Sequence, residues 1–174
     1  MTTCAIPRPA ADEHAPYYGK YIVKVPDGDL CRILTDQLAE TRALIGSIPE
    51  ARGTHRYAPG KWSIKEVLGH VCDSERIFSY RALRIARGDA TPLPGFEQDD
   101  YVPTGGFDRR TLADLSEELA AVRKASLLLF SHLDAEALAR RGTASGNPIT
   151  PRALAYVIAG HERHHVEILK VKYL

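Results

Sequence analysis

The sequence has little cysteine, no long apolar run and no excess of either charge, and each shortage removes a class of protein. No hydrophobic stretch approaches the roughly 18 residues that a membrane span needs, so no membrane-spanning helix is expected. Cys4, Cys31 and Cys72 are odd in number and widely scattered. They argue against a disulfide framework and for reduced thiols in a cytoplasmic protein. Met1 to Pro7 do not combine a basic start with an apolar segment, so no secretory signal is expected. With 23 basic and 22 acidic residues the net charge is +1, which gives no electrostatic case for nucleic acid, an anionic membrane or an acidic partner. Internal repeats, low-complexity tracts and a convincing strand pattern are also missing.

What is present is helical periodicity. A chain of 174 residues, 44% hydrophobic and 26% charged, is most simply one domain with an ordinary core. Residues 1–27, punctuated by Pro7, Pro9, Pro16, Gly19 and Pro26, read as an N-terminal extended arm lying over the body. The body, residues 28–174, carries four amphipathic stretches. The first spans about 29–46, with Asp27 or Asp29 as its cap. The second opens on the capping box Ser63-Ile64-Lys65-Glu66 and runs to Arg87. The third begins near Asp108 and reaches Leu133, and the last starts at Thr150 with Pro151 in its first turn. A Pro- and acid-rich link, 88–107, joins the second and third stretches. The pattern predicts an all-α four-helix bundle with a long crossover link.

The last helix carries the chemistry. Leu154, Val157, Ile158, His161, His165, Ile168 and Leu169 recur at spacings of three and four and form one buried face. Imidazoles at i and i+4 on that face can reach one metal ion, and His70 flanks the apolar face of the second helix. His70, His161 and His165 together supply three neutral nitrogens and leave coordination positions open, as catalytic zinc sites do; nickel, iron or cobalt suits the same donors. The competing reading is three core histidines satisfied by carboxylates such as Glu75 or by backbone carbonyls. Periodicity also leaves His164 open as the partner of His161 at i, i+3.

His161-Glu162-Arg163-His164-His165 matches the H-E-x-x-H pattern of zinc proteases, with Glu162 as the base. A downstream third ligand is missing, since position 171 is Val171. Cys31 and Cys72 read as small core residues. Glu97, Asp99 and Asp100 read as a solvated acidic loop, and Arg81, Arg84 and Arg87 as surface charges.

The segment Lys61-Trp62-Ser63-Ile64-Lys65-Glu66-Val67-Leu68-Gly69-His70-Val71, paired with the late His161-x-x-His164-His165, resembles the DinB/YfiT-like superfamily of metal-dependent enzymes over about residues 28–172. The resemblance implies a four-helix bundle that often dimerises, with His70, His161 and His165 as ligands to zinc or nickel. It further implies a small-molecule substrate and, in some relatives, a low-molecular-weight bacterial thiol as co-substrate. The expected activity is therefore a thiol S-transferase acting on an electrophile. The alternatives are a hydrolase of a small amide or ester, and a bundle that metal merely clamps.

Overall fold

The structure, a computed structural model, describes residues 6–174. Its helices in chain order are α1 (Gly19–Ile22), α2 (Leu30–Ser47), α3 (Ile64–Ala86), α4 (Gln98–Gly105), α5 (Leu112–Phe130), α6 (Ala135–Ala139) and α7 (Pro151–Ile168). A wider π turn, Leu169–Tyr173, continues α7. Between α6 and α7 lies a two-stranded antiparallel hairpin, β1 (Gly142–Ala144) and β2 (Asn147–Ile149).

The long helices start where short polar side chains satisfy their first backbone N–H groups. Asp29 accepts from the Arg32 amide, and Ser63 and Glu66 close a reciprocal capping box. Thr111 and Thr150 accept from the amides of Asp114 and Ala153. Helix α5 thus begins four residues after the expected Asp108, because a 3-10 turn at Phe107–Arg109 intervenes and Thr111 is the cap.

The bundle is closed. Helix α3 packs on α5 and α7, α2 packs on the same two, α1 lies on α7, and α4 lies on α3. Two apolar clusters fill it. One gathers Leu34, Phe78, Ile85, Phe130, Leu154 and Val157, and the other Ile45, Val67, Leu115, Leu119 and Leu169. Between them every long helix contributes buried polar side chains: Gln37 and Thr41, His70 and Ser74 with Glu75, Arg123 and Ser126, and His161 with Glu162. A polar layer therefore crosses the middle of the bundle.

Four expectations change. The arm is not extended throughout: it forms 3-10 turns and α1, and Ile6, Tyr21, Ile22 and Val25 are buried in the core. Arg8 pins it by donating to Ile22 O (2.9 Å), Val25 O (2.7 Å) and Asp27 (3.0 Å). The link carries α4, and Leu93 within it pairs with Ala144 of β1. The hairpin was hidden because three-residue strands show no period, and Pro148 lowers strand expectation. The reduced-thiol reading holds for buried Cys72 but not for Cys31, which is disulfide-bonded; Cys4 lies outside the described residues. Among the described residues no helix is long and apolar enough to cross a membrane.

Candidate metal centre

Two helices bring three imidazoles to one point. His70, 2% exposed, projects from α3, and His161, 5% exposed, from α7 with half-buried His165 one turn later. His161 Nε2 lies 3.1 Å from His70 Nε2 and 3.1 Å from His165 Nε2. All three nitrogens lie within 4.8 Å of one another, and no fourth His, Cys, Asp or Glu among the described residues joins the group. His164, left open by periodicity, stays outside the cluster with its ring against Tyr21.

Close packing of the arm and the link against these two helices depends on glycines beside the histidines. A Cβ on Gly160 would come within 2.0 Å of the Tyr21 carbonyl oxygen, and one on Gly69 within 2.2 Å of the Phe107 ring. The arm and the crossover link thus seat directly on the residues preceding His161 and His70. Aromatic rings complete the surroundings. Trp62 lies 4.8 Å from the His70 ring, and Tyr21 and Phe78 lie 5.2 and 5.8 Å from that of His161.

Burial holds all three imidazoles neutral. It lowers the pKa of His70 to about 4, and it lowers those of His161 and His165 well below the ordinary value, with neighbouring histidines adding to the effect. Each Nε2 of a neutral ring carries either one N–H or one lone pair. His161 Nε2 can therefore satisfy only one of its two neighbours by hydrogen bonding. A divalent cation satisfies all three at once. Ligand nitrogens placed tetrahedrally at about 2.0 Å from an ion stand about 3.3 Å apart, close to the two 3.1 Å separations that His161 makes. The residues fit a metal.

The competing reading fails on its named partner. Glu75 does not meet a histidine but grips Arg123, whose Nε and Nη2 donate to it at 2.9 and 2.8 Å. Arg123 is 0% exposed, also donates to Leu34 O (2.8 Å), and reaches Glu162 at 2.6 Å. Burial works against its charge, but the two carboxylates outweigh this and raise its pKa. Glu162, the base in the protease reading, is thereby drawn away to Arg123 and Gln37.

His70 and His161 line a cavity of about 340 Å³ walled by Tyr17, Tyr18, Phe78, Arg81, Phe96 and Ser145, among others. A second depression, lined by Lys24, Gln37 and Arg163 among others, contains none of the three histidines. Sequence reasoning missed most of the cavity wall, because it comes from the arm, the link and the hairpin. It also missed Arg123, although its place four residues after Leu119 puts it on the buried ridge of α5. Arg81, expected at the surface, is 3% exposed; Arg87 is exposed as expected.

A sequence profile of the DinB superfamily matches residues 33–169. The chain belongs to the DinB superfamily. As a DinB-like protein it has its structural counterparts among solved structures of the same fold. YfiT from Bacillus subtilis, described as a probable metal-dependent hydrolase with an unusual four-helix bundle topology, superposes with a TM-score of 0.70. It is 14% identical, and the match covers 94% of this chain and 92% of YfiT. A mycothiol-dependent maleylpyruvate isomerase superposes with a TM-score of 0.66 at 12% identity. That match covers 87% of this chain and 62% of the isomerase. No curated protein matches. At these identities the likeness concerns the fold, and the DinB-like bundle agrees with the architecture expected from periodicity.

Proposed function

We propose that this protein is a metal-dependent enzyme in which His70, His161 and His165 hold zinc or nickel, and that it transfers a low-molecular-weight thiol to an electrophilic small molecule. The observation that carries the reading is a cluster of three neutral imidazoles with no fourth ligand among the described residues, two of which, His70 and His161, line a cavity large enough for a small substrate. An ion bound there supplies a Lewis acid that lowers the pKa of a thiol to that of a reactive thiolate. Aromatic side chains around the histidines keep the site partly dry, and the neutral imidazoles leave charge development to the substrate. Glu75 and Glu162 are committed to Arg123, so neither stands ready as a general base. A thiol suits that surrounding, since it ionises far more readily than water. The likeness to a mycothiol-dependent enzyme points the same way. Hydrolysis of a small amide or ester is the second reading, favoured by the description of YfiT.

Metal content by plasma mass spectrometry of tag-free wild type and of His70→Ala, His161→Ala and His165→Ala tests the centre. About one equivalent in wild type and a loss in each variant are expected. Metal-loaded protein is then assayed with 1-chloro-2,4-dinitrobenzene plus mycothiol or bacillithiol, and with 4-nitrophenyl acetate. Ester cleavage unaffected by thiol would replace the transferase with the hydrolase. No metal after reconstitution with zinc and nickel would remove both.

A further inference from the structure

Arg81 is a buried cation in the cavity wall that no acid neutralises. The other two buried cations among the described residues each have a carboxylate within 4 Å: Lys65 has Glu50, and Arg123 has Glu75 and Glu162. No ion pair among the described residues includes Arg81. Its Nη2 donates to Pro94 O at 2.7 Å and to Ser145 Oγ at 3.2 Å, which uses both N–H groups of that nitrogen. The Tyr18 hydroxyl, a neutral group, is a further hydrogen-bond neighbour of the guanidinium, and none of its nitrogens is a sealed, unpaired atom. A guanidinium so placed carries a desolvation cost without a compensating charge.

Ser145 and Gly146, at φ 52° and 74°, form the two-residue turn between β1 and β2, and this turn brings the Ser145 hydroxyl to Arg81. Phe96 lies 5.7 Å from the guanidinium carbon, and Tyr17, Tyr18 and Phe78 supply further apolar wall. The lining residues include one acid, Glu97, which is exposed and accepts from the Asp99 amide at the start of α4.

We infer that Arg81 is a binding residue for the carboxylate of a small, partly apolar molecule held beside the histidine cluster. The inference rests on the proposed reading of the cavity as a small-molecule site. It adds that one of the bound molecules, the thiol or the electrophile, is an organic acid whose carboxylate pairs with the Arg81 guanidinium beside the Tyr18 hydroxyl. The aromatic wall then receives its apolar part.

The test compares benzoate with benzamide, which match in shape and differ in charge, by NMR titration of wild type, Arg81→Met and Arg81→Lys. It is run on metal-loaded protein and again after chelation. A charged hydrogen-bond pair out of bulk water predicts roughly tenfold tighter binding of benzoate to wild type. Arg81→Met should abolish the preference, and Arg81→Lys, which keeps a charge without the fork, should retain part of it. Equal binding of the two probes to wild type would overturn the inference. So would a preference unchanged in both variants, as expected if Arg81 merely pins Pro94 and Ser145. A preference that vanishes on chelation would also overturn it, since the carboxylate would then sit on the metal. If Arg81→Met does not fold, the wild-type ratio and Arg81→Lys decide. Because the chelated arm needs no metal, failure of the metal centre leaves this measurement readable. Failure of Arg81 likewise leaves the metal stoichiometry untouched. A 3-mercaptopropionate against 2-mercaptoethanol titration then shows whether the acid belongs to the thiol.

Discussion

Replacing Arg123 with methionine perturbs the structure where its energetics are most exposed. Methionine keeps an unbranched apolar stem of similar reach but removes the donors that Arg123 presents to Glu75, Glu162 and Leu34 O. Two carboxylates at 2% and 1% exposure would then lose the cation that they share. Breaking a buried pair from one side costs about 3–5 kcal/mol, because the remaining charge has neither water nor partner. For a chain of this size that corresponds to a fall in melting temperature of roughly 10–15 °C. Urea denaturation followed by circular dichroism measures it at pH 7. The triple change Arg123→Met, Glu75→Gln, Glu162→Gln removes the stranded charges and should recover at least half of the loss. Destabilisation below about 1 kcal/mol in Arg123→Met would refute the view that this layer is held by charge pairing. Equal stability of the single and triple variants would place the loss in packing instead.

Two further consequences concern the arm. Burial raises the pKa of Glu13, but hydrogen bonds from Arg152, the Ala10 amide and Thr150 outweigh it and hold the pKa at about 2. A folded pKa below the unfolded value stabilises fully above about pH 4.5, and that contribution disappears as pH falls toward 2. Wild type should lose about 1–3 kcal/mol more than Glu13→Gln across that window, measured by acid titration of urea midpoints; parallel curves would remove Glu13 as the cause. Gly160→Ala places a methyl 2.0 Å from the Tyr21 carbonyl, so α1 must shift. The overpacking should cost about 1–3 kcal/mol despite the better helix propensity of alanine, and trypsin should cleave after Lys20 or Lys24 sooner than in wild type. Unchanged stability and unchanged cleavage would show that the arm adapts freely.

The sequence by itself determined what depends on near neighbours along the chain. Helix starts were legible at Ser63 and Thr150, and to within two residues at Asp29, because a cap and the amide it satisfies lie within three residues. The i, i+4 spacing of His161 and His165 likewise placed both on one face before any neighbour was known. Tertiary structure decided the rest. His164 lies three residues from His161 and His165 four, yet only the latter joins His70, since the packing of α3 on α7 selects the face. Arg123 reads as one charge on an apolar ridge until α3 and α7 supply its carboxylates. Arg81 reads as a surface charge until the link and hairpin fold over it. Periodicity reports which side of a helix is buried, whereas the fate of a charge on that side depends on groups brought near it from distant parts of the chain.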